Sequence, residues 1–170
     1  MRLKGKCAIV VGAGSVGAGI GNGRATAMAF AREGARVLVV DNSGPAAEET
    51  CRLIAAEGND CDIHVGDATS MVDCAGMVAH CLSRFGALDI LHNNIGVMTL
   101  GGLTQISDAD WDRTIGINLK SFFQACRHAV PVMVERGGGA IVNVGSLSAE
   151  RYSGMPMLRS EEHTSELQSH

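Results

Sequence analysis

Short apolar runs alternate with longer amphipathic ones along the whole chain. Cys7–Val11, 36–40, Cys61–Val65, 88–91 and 140–144 are brief and rich in Val, Ile and Leu. Runs of this length bounded by polar or glycine residues read as strands. Between them the pattern widens to helical spacing. Residues 24–32 are Ala-rich and stop at Glu33-Gly34, a helix-ending pair. Residues 45–57 carry Pro45 near the first turn and Gly58 just beyond, the expected asymmetry of helix ends. Residues 70–85 are amphipathic, with Ser70 as the cap. Residues 107–136 form a long helical stretch, with a bend expected at Pro131 and a stop at Gly137-Gly138-Gly139. Five apolar strands separated by helices predict parallel pairing through right-handed crossovers, that is, a doubly wound parallel α/β sheet.

The chain has 170 residues, one domain's worth. It is 46% hydrophobic and 19% charged, a globular rather than a disordered composition. The net charge of −4 without a basic cluster argues against nucleic acid and anionic membranes as partners. No apolar run reaches the about 18 residues of a membrane span. The N-terminus enters the first strand without a signal-peptide pattern, and the expected compartment is the cytoplasm. The six cysteines make no Cys-x-x-Cys and no zinc-ligand spacing. In a reducing compartment they read as small apolar fillers, and no metal site is expected.

The junction between the first strand and the first helix carries the chemistry. Glycines stand at 12, 14, 17, 19, 21 and 23, after a strand and before a helix. Glycine allows a tight turn and close approach of a phosphate, and the helix start offers unpaired N–H groups and a positive dipole end. Asp41 ends the second strand, 18 residues after Gly23. A carboxylate there accepts both hydroxyls of an adenosine ribose and repels a 2′-phosphate, so NAD is expected over NADP. Asp67-Ala68, after the third strand, is a candidate contact for adenine. Asn93-Asn94-Ile95-Gly96 follows the fourth strand, at the end where open α/β sheets bind ligands.

Residues 1–158 resemble the front part of the short-chain dehydrogenase/reductase family. The family's Thr-Gly-x-x-x-Gly-x-Gly loop corresponds to Val11, Gly12, Gly21 and Gly23, with Arg24-Ala25-Thr26-Ala27 aligning the helix. Val11 replaces the usual threonine, and about five extra residues, Val16 to Ile20, lengthen the loop. Asn93-Asn94-Ile95-Gly96 matches the family's Asn-Asn-Ala-Gly. The resemblance implies a Rossmann-like fold and an NAD-dependent oxidoreductase that moves hydride between nicotinamide and an alcohol or carbonyl substrate. The implied cofactor-binding set is Gly12, Ser15, Gly21, Asn22, Gly23, Asp41, Asp67, Ala68, Asn94, Ile95 and Gly96.

In the family an Asn-Ser-Tyr-Lys tetrad does the proton chemistry. Asn118 fits the asparagine, which holds a water in the relay. Ser146 fits the serine, which hydrogen-bonds the substrate oxygen, with Ser148 as competitor. The tyrosine and lysine have no counterpart here. Tyr152 is followed four residues on by Pro156, and the last lysine is Lys120. Losing a positioned general acid/base costs about 10² to 10⁴ in rate, so this chain alone is expected to be inactive.

Residues 159–170 hold one apolar residue in twelve and resemble the in-frame translation of a sequencing adapter. The expected organisation is therefore an incomplete NAD-binding domain over 1–158, truncated after the fifth strand, and a non-native polar tail over 159–170. The intact parent is expected to be a homo-oligomer, as the family pairs subunits through the long helix and the one after it. Two other readings stay open: a non-catalytic NAD-binding module and a methyltransferase. The Asn93-to-Gly96 run, Asn118 and Ser146 together favour the oxidoreductase over the latter.

Overall fold

The computed structural model describes residues 1–17, 19–102 and 104–146, and the backbone of 157–158. Ser148, Tyr152 and the tail at 159–170 lie outside the described residues. Strands β1 (Cys7–Val11), β2 (Arg36–Asp41), β3 (Cys61–Val65), β4 (Ile90–Asn93), β5 (Thr99–Leu100), β6 (Ala140–Asn143) and β7 (Met157–Leu158) are joined by α1 (Asn22–Arg32), α2 (Gly44–Ala56), α3 (Met71–Phe85), α4 (Asp108–Ile115) and α5 (Ser121–Glu135). The main sheet has the order β3-β2-β1-β4-β6, with every pair parallel. The doubly wound sheet expected from the alternating pattern is what forms.

β1 lies at the centre, and all five of its residues are buried. Cys7, Ile9 and Val11 join one core with α3 and α5; Ala8 and Val10 join the other with α1 and Ile54 of α2. A strand covered on both faces needs no polar alternation, which is why it reads as an unbroken apolar run. β6 is the opposite case. It closes one edge of the sheet with all four residues exposed, Ile141 at 37% and Val142 at 45%.

The helix starts follow their local signals. Ser70 caps α3 and Ser107 caps α4, each accepting from the backbone N–H three residues on. The long stretch expected after Ser107 forms, running through α4, a π turn at Gly116–Lys120 and α5 without a gap, with Pro131 inside α5. The π turn carries Asn118, whose side chain bonds the chain after β4, and such insertions are frequent where a helix serves a site. The hydrophobic pattern also gave no sign of the β5–β7 antiparallel ribbon.

The expectation that all six cysteines are fillers is corrected for two of them. Cys51 of α2 and Cys61 of β3 form a disulfide. α2 packs back onto β3 and brings the two Cα atoms to 5.9 Å, within bridging reach, a juxtaposition that sequence spacing does not reveal. The buried Cys7, Cys74 and Cys81 do act as fillers. Burial raises the Cys74 thiol to about 11 and the Cys81 thiol to about 12, so both stay protonated at neutral pH.

Two histidines, His64 and His92, are expected to make the fold acid-sensitive. His64 of β3 packs on His80 of α3, with His80 in turn on Asp62 at 3.1 Å. Burial first, then the charge of His80, lowers the His64 pKa below the ordinary 6.5, against the pull of Asp73. Burial also lowers His92 of β4, whose Nδ1 has no partner among the described residues. The unfolded chain then takes up protons at a higher pH than the folded one. Stability is full above about pH 6.5 and is lost as pH falls through the lower folded values. The melting temperature is expected to drop between about pH 7.5 and 5.5, with a shallower slope in His64→Gln. A flat profile in the parent chain contradicts this.

Candidate functional site

The site grows from the end of β1. Gly12 turns the chain away with φ +73°, and a Cβ there would stand 2.5 Å from the Asn94 carbonyl oxygen. Its N–H donates to Val40 O at 2.8 Å, which ties the turn to β2. Gly14 N then donates to Asp41 Oδ2 at 2.8 Å. The extra residues of the loop are closed by one side chain: Ser15 Oγ donates to Gly19 O at 2.7 Å and accepts from Gly21 N at 3.1 Å. α1 starts at Asn22 with Gly21 in extended conformation and no side-chain cap. The N–H groups of its first turn therefore have neither an intrahelical acceptor nor a side-chain cap.

The eleven residues anticipated for cofactor binding, Gly12, Ser15, Gly21, Asn22, Gly23, Asp41, Asp67, Ala68, Asn94, Ile95 and Gly96, all line one cavity of about 1280 Å³ along the carboxyl ends of β1, β2, β3 and β4. Asp41 does two jobs in its wall. Oδ2 holds Gly14 N, and Oδ1 accepts from Ser43 N at 2.9 Å. Asp67 is engaged locally, with Oδ1 accepting from Thr69 N and Thr69 Oγ1, both at 2.8 Å. Asn94 Nδ2 reaches Gly12 O at 3.4 Å. Its neighbour Asn93 is turned inward, 1% exposed, and donates to Asn143 Oδ1 of β6 at 2.7 Å. The Asn-Asn pair thus divides its labour, one side chain bracing the sheet and the other the glycine turn.

The same cavity is lined by residues that sequence reasoning missed. Asn42, Ser43 and Ala46 lead from β2 into α2, and their adjacency to Asp41 was an available signal. Arg113, Gly116, Ile117 and Lys120 come from α4 and the π turn, and only packing brings them there.

A second cavity of about 660 Å³ opens beside the first and shares Asn22, Asn94, Ile95, Gly96 and Val97 with it. Asn118 and Ser146 both line it, with Met98, Phe122 and Val144 as apolar wall. The two side chains anticipated for chemistry, 28 positions apart in sequence, therefore meet around one space. Asn118 Oδ1 accepts from Val97 N at 2.7 Å and Nδ2 donates to Val97 O at 2.9 Å. Its amide thus pairs with both backbone groups of Val97, in the manner of a strand partner.

A glycine turn feeding an uncapped helix, at the carboxyl edge of a doubly wound parallel sheet, defines a Rossmann nucleotide-binding fold. The short chain dehydrogenase family matches residues 6–157, and the chain belongs to the short-chain dehydrogenase/reductase family of NAD(P)-dependent oxidoreductases. It is 41% identical over 151 residues to a D-threitol dehydrogenase of Mycolicibacterium smegmatis, covering 87% of this chain and 55% of that one. It is 37% identical over 146 residues to an uncharacterized oxidoreductase of Thermotoga maritima, again 55% of the relative's length. Among solved structures, a 7 alpha-hydroxysteroid dehydrogenase complexed with NADH and 7-oxo glycochenodeoxycholic acid matches with a TM-score of 0.85 and 31% identity, over 99% of this chain and 62% of that one. A short-chain dehydrogenase/reductase from Burkholderia xenovorans matches with a TM-score of 0.90 and 38% identity, over 98% and 66%. The chain spans about half the length of the curated relatives it matches. No helix among the described residues is long and apolar enough to cross a membrane.

Proposed function

We propose that this chain is the NAD-binding part of an oxidoreductase that acts on the hydroxyl or carbonyl group of a small molecule. The observation that carries the reading is the convergence of the glycine turn, the start of α1 and Asp41 on one cavity. A dinucleotide fits it. The missing side chains at Gly12 and Gly23 let α1 and the Asn94 chain pack close against the end of β1, and the uncapped N–H groups of α1, held at that edge, donate to the diphosphate oxygens. Asp41 presents a carboxylate where the ribose hydroxyls of an adenosine would lie, which favours NAD because a 2′-phosphate would meet like charge. Bound NAD supplies a hydride acceptor at its nicotinamide ring.

The chain's own residues hold and orient. Gly96 and Val97, in the wall between the two cavities, separate the space for the cofactor from the space for the substrate. Ser146 faces the second cavity as a hydroxyl able to donate to a carbonyl oxygen. Asn118 is a positioning residue: its side-chain amide holds both backbone groups of Val97. Proton transfer needs an acid/base that Tyr152 and Pro156 do not provide in a Tyr-x-x-x-Lys spacing. The expected location is the cytoplasm, and the homo-oligomer belongs to a longer protein that carries the rest of the family pattern.

The test is a calorimetric titration of the chain with NAD, NADP and S-adenosylmethionine, followed by an assay for NADH formation with simple alcohols. NAD is expected to bind at least about tenfold more tightly than NADP, S-adenosylmethionine not to compete, and no turnover to appear. In Asp41→Ala the preference for NAD is expected to disappear. Preferential binding of S-adenosylmethionine overturns the reading in favour of a methyltransferase. Absence of turnover in a longer protein that does carry Tyr-x-x-x-Lys favours a non-catalytic binding module.

A further inference from the structure

Arg24 is a buried cation that hydrogen-bonds no carboxylate among the described residues. It lies in the first turn of α1 with only 5% of its surface exposed. Its guanidinium donates to three neutral oxygens: Thr50 Oγ1 at 3.0 Å, Gly19 O at 3.1 Å and Ala46 O at 3.4 Å. Thr50, itself fully buried, passes the link on to Ala13 O at 2.9 Å. No carboxylate among the described residues accepts a hydrogen bond from Arg24. Glu49, which feels its charge, is bound to Arg52 at the surface.

Each part of this arrangement is electrostatically adverse on its own. A guanidinium cannot shed its proton. Burying it against neutral groups costs free energy. A cation in the first turn of a helix also opposes the positive end of the dipole. An anion in the adjoining cavity relieves all three. Gly19 and Ala46, which accept from Arg24, are in the wall of that cavity. The chain of bonds Ala13–Thr50–Arg24–Gly19–Ser15–Gly21 also spans the lengthened glycine loop from one end to the other.

We propose that Arg24 sets the affinity of this cavity for the diphosphate of a dinucleotide, acting from behind the glycine loop through its charge and its hold on Gly19. It is a positioning residue, and the proposal rests on the dinucleotide reading above. The charge distinguishes phosphate-bearing ligands from neutral ones, which a purely structural brace does not.

The experiment titrates the full chain, Arg24→Met and Arg24→Lys with NAD, ADP-ribose and adenosine, by calorimetry and ligand-observed NMR. Arg24→Met is expected to weaken ADP-ribose by about tenfold and adenosine by less than about twofold, with Arg24→Lys recovering most of the loss. Equal losses for ADP-ribose and adenosine, or no loss for either, overturn the proposal while leaving NAD binding by the parent chain intact. A parent chain that binds neither NAD nor ADP-ribose overturns the dinucleotide reading instead. If circular dichroism shows Arg24→Met unfolded, a salt series on the parent chain decides. ADP-ribose binding is expected to weaken with salt and adenosine binding to hold; salt-independent ADP-ribose binding overturns the proposal.

Discussion

Gly23→Ala is expected to abolish NAD binding and to destabilise the chain by about 3 kcal/mol. A Cβ at this position would overlap the Gly12 carbonyl and stand 2.8 Å from its carbon and 2.9 Å from Asn94 Nδ2. Two of these three atoms are backbone, so no rotamer change makes room. Relief requires α1 to move off β1 and takes with it the close approach that shapes the phosphate cradle. Gly19→Ala is the matched control, because a Cβ at Gly19 meets nothing within 4 Å. It is expected to change stability by less than about 0.5 kcal/mol. Urea denaturation and an NAD titration of both variants check the pair. Wild-type affinity in Gly23→Ala would show that the cradle is not where the ligand sits.

Asn118→Ala comes second, with an expected loss of about 2–4 kcal/mol. The substitution leaves both the N–H and the carbonyl of Val97 without their partner, and Val97 is partly buried between the two cavities. Each orphaned group costs about 1–3 kcal/mol where water reaches it poorly. The local reading is hydrogen exchange. The Val97 amide is expected to lose protection well beyond the global change, and Asn118→Asp, which keeps the acceptor, to retain part of it. Unchanged exchange at Val97 in Asn118→Ala falsifies the clamp.

Much of the site was legible because its signals are local. The turn at Gly12, the start of α1 and the acid closing β2 are each encoded within a few residues of chain, and β1, β2 and β4 pair in register so that their ends coincide. That is why the eleven anticipated residues came to line one cavity. Asn118 was legible through the family resemblance, but not as a clamp. Its partner Val97 is 21 positions away, and no periodicity reports where a loop backbone will lie. The π turn that carries Asn118 was not legible either, since the sequence around 116–120 has no local signal for it. Arg24 looked like an ordinary helix-start residue, since the sequence does not show that Gly19, Ala46 and Thr50 surround it.

The order of elements, the parallel sheet and the nucleotide-binding edge could be read from the chain, because apolar run length, turn residues and helix-end signals are each written within a few neighbouring positions. What particular side chains hold came from packing instead: Asn118 on Val97, Asn93 on Asn143, Arg24 on the glycine loop and, at the other end of β3, Cys51 on Cys61. Those contacts join residues distant in sequence, and their partners become neighbours only when the helices close over the sheet.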